Sequence, residues 1–168
     1  MKTLCLCLAL LTALLANNVQ AHKFSTAYLD VSERDGQPLI VWQVALHDLA
    51  QAKLLSTPDV NTVRWQQVLD SEAVLISYIT TRMQFTADNI ACTLTPQRAD
   101  TWVLQQIQGE FYLQLAVEVQ CATHQAWQLQ YRALFDIEHS HKALLFWHTA
   151  ADQRRVVLDS DTVIFPAN

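Results

Sequence analysis

From Gln84 to Leu158, apolar residues recur at every second position, in short runs broken by turn signals. The runs are Ile90 to Thr95, Trp102 to Ile107, Phe111 to Val119, Ala126 to Asp136, Lys142 to His148 and Arg155 to Leu158. Each such strand has one face that must be covered, so several of them in one chain demand stacked sheets. Upstream, Phe24 to Ser32 and Leu39 to Leu46 read as two more strands, joined by an Asp35-Gly36 hairpin signal. Phe24, Tyr28 and Val31 are the expected inward residues of the first. No βαβ alternation calls for a parallel sheet. The expectation is a mainly β chain, an antiparallel β-sandwich-like domain with one amphipathic helix packed on it.

That helix is read near Val63 to Arg82. Trp65, Val68, Leu69, Leu75, Ile76, Ile79 and Met83 recur at spacings of three and four, opposite Gln66, Gln67, Asp70, Ser77 and Arg82. The apolar stripe is expected to be buried together with Trp42 and Phe135. Asp48, with Gln51 three residues on, reads as a capping box for a short helix over Leu49 to Leu54. Thr57-Pro58 offers a further helix-start signal ahead of the long helix.

The first 21 residues have a separate purpose. Met1-Lys2 is a positive start, Leu4 to Ala16 is apolar, and Val19-Gln20-Ala21 presents small residues for cleavage. This is a secretory signal, with cleavage expected after Ala21 and a mature chain beginning at His22 in the periplasm. The apolar run is too short to span a bilayer comfortably, and no second stretch reaches that length. Residues 22–168, 147 of the 168, then form one domain without repeats or linkers. Lys2 leaves with the signal, so ten Lys and Arg face sixteen Asp and Glu, a net charge of −6. Scattered basic residues in an acidic chain argue against nucleic acid as a partner.

Cys5 and Cys7 are lost with the signal, leaving Cys92 and Cys121. An even pair in an oxidising compartment reads as a disulfide, with two buried thiols as the alternative. A hairpin turned at Gln108-Gly109 sets residue 92 opposite residue 125, and a bulge over Pro96 to Asp100 absorbs the offset.

Several residues in order resemble one family. They are His22-Lys23-Phe24-Ser25 with Tyr28-Leu29, then Trp42 with Ala45-Leu46-His47-Asp48-Leu49, and Val63-Arg64-Trp65. Cys92 and Cys121 follow, then Tyr131 to Phe135-Asp136, His141 and Leu144-Leu145. The chain resembles the extracytoplasmic head of HupE/UreJ-like membrane proteins over nearly all of its mature length. Relatives continue into transmembrane helices, whereas this sequence stops at Asn168 and looks like the head alone. The resemblance implies an accessory domain acting with an inner-membrane, metal permease-like partner or another periplasmic protein. It also implies nickel and cobalt as the first metals to test. The family's calcium-loop-like segment is represented by Ser56, Pro58, Val60, Asn61 and Gln67, which lack carboxylates at the liganding positions. A structural remnant is expected there.

Residues suited to chemistry are few. His139 and His141 share one side if their segment is extended, and His22 as a free terminus chelates through amine and ring nitrogen. With Asp136 or Glu138 they form a candidate metal set for nickel, cobalt or copper, the basis of an alternative reading as a metal-binding or delivery protein. His141 is expected at a strand end near Asp136. No Gly-x-Ser-x-Gly, HExxH or phosphate-loop pattern is present, and Gly36 and Gly109, the only glycines, are spent on turns. The reading is therefore of a chain that is not an enzyme and carries no organic cofactor.

Overall fold

The computed structural model describes residues 25–150 and 152–166. The expected signal segment and His22 lie outside them. The first hairpin is β1 (Thr26–Arg34) and β2 (Gln37–Ala45). Asp35 and Gly36 turn it with φ of 52° and 75°, the double left-handed pattern that suits the strand twist. This turn pairs Arg34 with Gln37 and so fixes the register of everything upstream. Ala27, Leu29 and Val31 consequently point inward and are fully buried. Tyr28, expected inward, lies on the opposite face and packs on Tyr112 at 5.7 Å between ring centres. Phe24 lies outside the described residues.

Three helices follow: α1 (Leu46–Gln51), α2 (Trp65–Leu69) and α3 (Glu72–Arg82). The helix expected over Val63 to Arg82 is thus two helices broken at Asp70 and Ser71. Ser71 Oγ donates to the Gln67 carbonyl at 2.8 Å, and its N–H to the Val68 carbonyl at 3.1 Å. A hydroxyl competing for backbone groups tightens the turn and ends the first helix. The apolar stripe survives the break: Val68, Leu75 and Ile79 are fully buried, while Trp65, Leu69 and Ile76 are half-buried against the core.

The remaining strands are β3 (Met83–Ala87), β4 (Ile90–Ala91), β5 (Thr93–Pro96), β6 (Val103–Ile107), β7 (Glu110–Gln120), β8 (Trp127–Tyr131), β9 (Lys142–His148), β10 (Gln153–Leu158) and β11 (Ile164–Phe165). The larger sheet runs β10-β9-β1-β2-β7-β5, with β6 also paired to β7. The smaller runs β11-β8-β3-β4. All pairs are antiparallel except β1 with β9. The two sheets and the helices form the expected β-sandwich-like domain. Phe85 of the smaller sheet stacks on Trp147 of the larger, ring centres 6.0 Å apart, and Trp42 Nε1 donates to Tyr131 Oη at 3.0 Å across the core.

Two strand readings differ from the structure. Ile90 to Thr95 is cut at Cys92, because β4 belongs to the smaller sheet and β5 to the larger. The crossing residue is fastened there, its Sγ 2.06 Å from that of Cys121. The bulge placed at Pro96 to Asp100 holds the offset: β6 pairs Ile107 with Glu110, β5 pairs Thr93 with Gln120, and the short 3-10 turn Ala99–Thr101 takes up the slack. The strand expected over Ala126 to Asp136 ends at Tyr131. Ala133, Leu134 and Phe135 are buried in succession, not alternately, so the chain wraps over the sandwich there. Leu134 takes a positive φ of 67°, and its N–H donates to Tyr78 Oη at 2.8 Å.

Candidate functional site

Asp48, Ser71 and His141 are the buried polar or charged side chains among the described residues. Two of them meet at Ser25. Asp48, expected to cap a helix, lies inside the first turn of α1, whose preceding residue Ala45 offers no side-chain cap. The carboxylate is drawn instead into the protein, where Ser25 Oγ donates to its Oδ2 at 2.7 Å. His141 stands just before β9, at a strand end as expected, and its Nδ1 lies 2.5 Å from the same Ser25 Oγ. The serine proton is committed to Asp48, so the imidazole donates Nδ1–H to Ser25 and keeps its lone pair on Nε2. That Nε2 is buried and without a hydrogen-bond partner among the described residues.

The register of the sheet creates this meeting. β1 and β9 run side by side, with Thr26 opposite Lys142, and the Lys142 N–H donates to the Ser25 carbonyl at 3.0 Å. The β1–β2 hairpin returns the chain to Asp48 beside the start of β1. His141 packs on Phe135 at 5.7 Å, Phe135 on Tyr131 at 5.4 Å, and Tyr131 holds Trp42. Burial pushes the Asp48 carboxyl up, against the hydrogen bond from Ser25, which lowers it. Burial pushes His141 down to about 4, opposed by the carboxylate of Glu138. At neutral pH the ring is neutral.

A nucleophilic serine must pass its proton to a base that a third group orients. Here the serine stands in the middle, giving its proton to the carboxylate and receiving one from the imidazole. The arrangement is a hydrogen-bonded tie that joins the start of β1 to α1 and to β9.

The other residues singled out from the sequence are scattered. His139 is exposed in a turn, whereas His141 is 1% exposed, so the two imidazoles share neither environment nor partner. Asp136 accepts from Arg82 at 2.6 Å, and Glu138 accepts from Ser140 Oγ at 2.9 Å. His22 is outside the described residues. Among the described residues, no three His, Cys, Asp or Glu side chains gather where they could hold an ion. In the segment from Ser56 to Gln67, the Gln67 side chain donates to the Ser56 carbonyl at 3.1 Å, and Asp59 accepts from the Asn61 N–H at 2.9 Å and from Thr62 Oγ1 at 3.0 Å. The bond from Asn61 is the main reason the Asp59 carboxyl lies below its usual range.

Sequence reasoning passed over Ser25 as a functional group. No spacing rule links residues 25, 48 and 141; the β1–β2 hairpin brings Asp48 to Ser25, and the parallel β1–β9 pairing brings His141. On the surface, Phe111 is half exposed beside a shallow groove lined by Leu46, His47, Val60 and Val63. No protein-family model matches the sequence, and no curated protein is significantly similar to it.

Proposed function

We propose that this chain is an exported, non-enzymatic accessory domain that acts with an inner-membrane, metal permease-like partner. The observation that carries the reading is the division of polar chemistry. The buried titratable groups are tied to one another inside, and a half-exposed aromatic flanks an apolar groove outside. Contact surfaces are where large apolar side chains remain exposed together. The resemblance to HupE/UreJ-like heads supplies the class of partner, and the cysteine pair at bonding distance suits an exported protein. No helix of the described residues is long and apolar enough to cross a membrane.

The test is photo-crosslinking in intact cells, from a reactive amino acid at position 111. The expected adduct is with an integral inner-membrane protein of the metal-permease type. Adducts with soluble proteins alone would contradict the reading.

A further inference from the structure

A sheet edge exposes unpaired backbone groups, and proteins usually blunt it with short strands, proline or charge. Four edges here are blunted in this way. β4 and β11, the borders of the smaller sheet, are two residues each. β10 carries Arg154 and Arg155, and β5 ends in Pro96 and is fastened by Cys92. β6 differs. Its sequence is Val-Leu-Gln-Gln-Ile, with no charge and no proline, and among the described residues no strand lies on its outer side. Val103 is 45% and Leu104 41% exposed.

The register shows what this edge offers. Gln108 and Gly109 turn the hairpin with φ of 52° and 86°, and a two-residue turn of this kind closes on a hydrogen-bonded pair, Ile107 with Glu110. Alternation then directs the backbone groups of Val103, Gln105 and Ile107 toward β7, and those of Leu104 and Gln106 outward. We infer that the outer edge of β6 pairs antiparallel with β6 of a second copy of this chain, joining two larger sheets about a two-fold axis at Gln105. In that register Leu104 of each copy faces Gln106 of the other, which satisfies all the outward N–H and C=O groups of both residues. Val103 meets Ile107, apolar against apolar, and Gln105 meets itself. On the same face, Gln43 Nε2 donates to the Oε1 atoms of Gln114 and Gln105 at 2.8 and 2.9 Å. Gln105 accepts in that bond, which leaves its own amide hydrogens to donate across the seam.

Self-complementarity of the edge selects the second copy as the occupant: about Gln105, each residue of β6 finds an uncharged partner in β6 of the other chain. Residues 22–168 carry a formal net charge of −6, so two copies repel over most of their surfaces and meet where charge is absent. The uncharged β6 edge lets them meet without opposing like charges, and a C2 interface needs this self-complementarity. The seam is on the opposite side of β7 from β2, so the groove beside Leu46 stays open. The inference does not depend on the permease reading, because it is tested on the isolated, processed protein.

Light scattering during gel filtration should give twice the monomer mass. Gln105→Lys and Gln105→Glu should each give the monomer mass, since each sets like charges opposite one another, and an equimolar mixture should return to twice that mass. Gln105→Cys should form a covalent dimer on oxidation, because Cα atoms of a non-hydrogen-bonded pair lie about 4.5 Å apart. Val103→Cys should not, since its partner is Ile107. A wild type at monomer mass throughout, a dimer that persists in Gln105→Lys, or a mixture that fails to reassociate would overturn the inference.

Discussion

Gln37 holds Cys121 at both ends of its peptide: its Oε1 accepts from the Cys121 N–H at 2.9 Å, and its Nε2 donates to the Cys121 carbonyl at 3.4 Å. The end of β7 is thereby tied to β2 before the cross-link to Cys92 is counted. That cross-link joins the strand-switching point of one sheet to the end of a central strand of the other.

The cysteine pair therefore acts on the sandwich as a whole. With its ends at a sequence separation of 29, the chain-entropy account gives about 3–4 kcal/mol. Cys92→Ala and Cys121→Ala should lose similar amounts, read by urea unfolding. Thiol labelling of unfolded, unreduced wild type should find no reactive cysteine. Two labelled thiols would contradict the disulfide.

The bond between Trp42 and Tyr131 is a polar contact inside the core. Tyr131→Phe preserves the ring and strands the indole N–H in a dry interior, a loss of about 1–3 kcal/mol. Equilibrium unfolding monitored by tryptophan fluorescence should show it. A change indistinguishable from zero would mean that water reaches the indole.

His141 makes stability depend on pH. Its folded pKa is lowered to about 4 from an ordinary value near 6.5. Between those values the unfolded chain holds more protons, so stability falls as pH drops through the window. The full loss is about 3 kcal/mol on the scale of one pKa unit per 1.4 kcal/mol. Asp48, whose carboxyl is raised by burial, has the opposite sign: above its ordinary pKa the folded state holds more protons, which offsets part of the loss. His141→Gln should flatten the profile between pH 4 and 6.5. Parallel slopes for variant and wild type would refute this.

The sequence-derived prediction for the segment from Ser56 to Gln67 is that calcium leaves the melting temperature unchanged. Asp59, its carboxylate, already accepts from Asn61 and Thr62. A native-state ligand raises melting temperature by mass action, so a clear rise at millimolar calcium would show that the segment binds.

Much of this fold was legible because local signals and tertiary packing agree. The turns at Asp35-Gly36 and Gln108-Gly109 fixed their hairpins, and alternation along β7 and β9 marked their buried faces. Where they disagreed, tertiary structure prevailed. Tyr28 is apolar enough to read as core, but register places it outside. Asp48 carries a capping pattern, but Ser25 draws it inward. The tie of Ser25, Asp48 and His141 was invisible for a topological reason: the first hairpin returns Asp48 to Ser25, but His141 arrives through a parallel pair whose strands are more than 100 residues apart in the chain.

The central proposal is that the chain supports metal passage through a membrane partner without being an enzyme. Uptake of nickel and cobalt by cells lacking this chain, and by cells in which it is restored, tests that most directly. The account predicts reduced uptake on deletion, recovery with the wild-type chain, and recovery with a chain in which Ser25 is replaced by alanine and which still folds. Uptake unchanged by deletion, or restored only when the Ser25 hydroxyl is present in an equally folded protein, would contradict it.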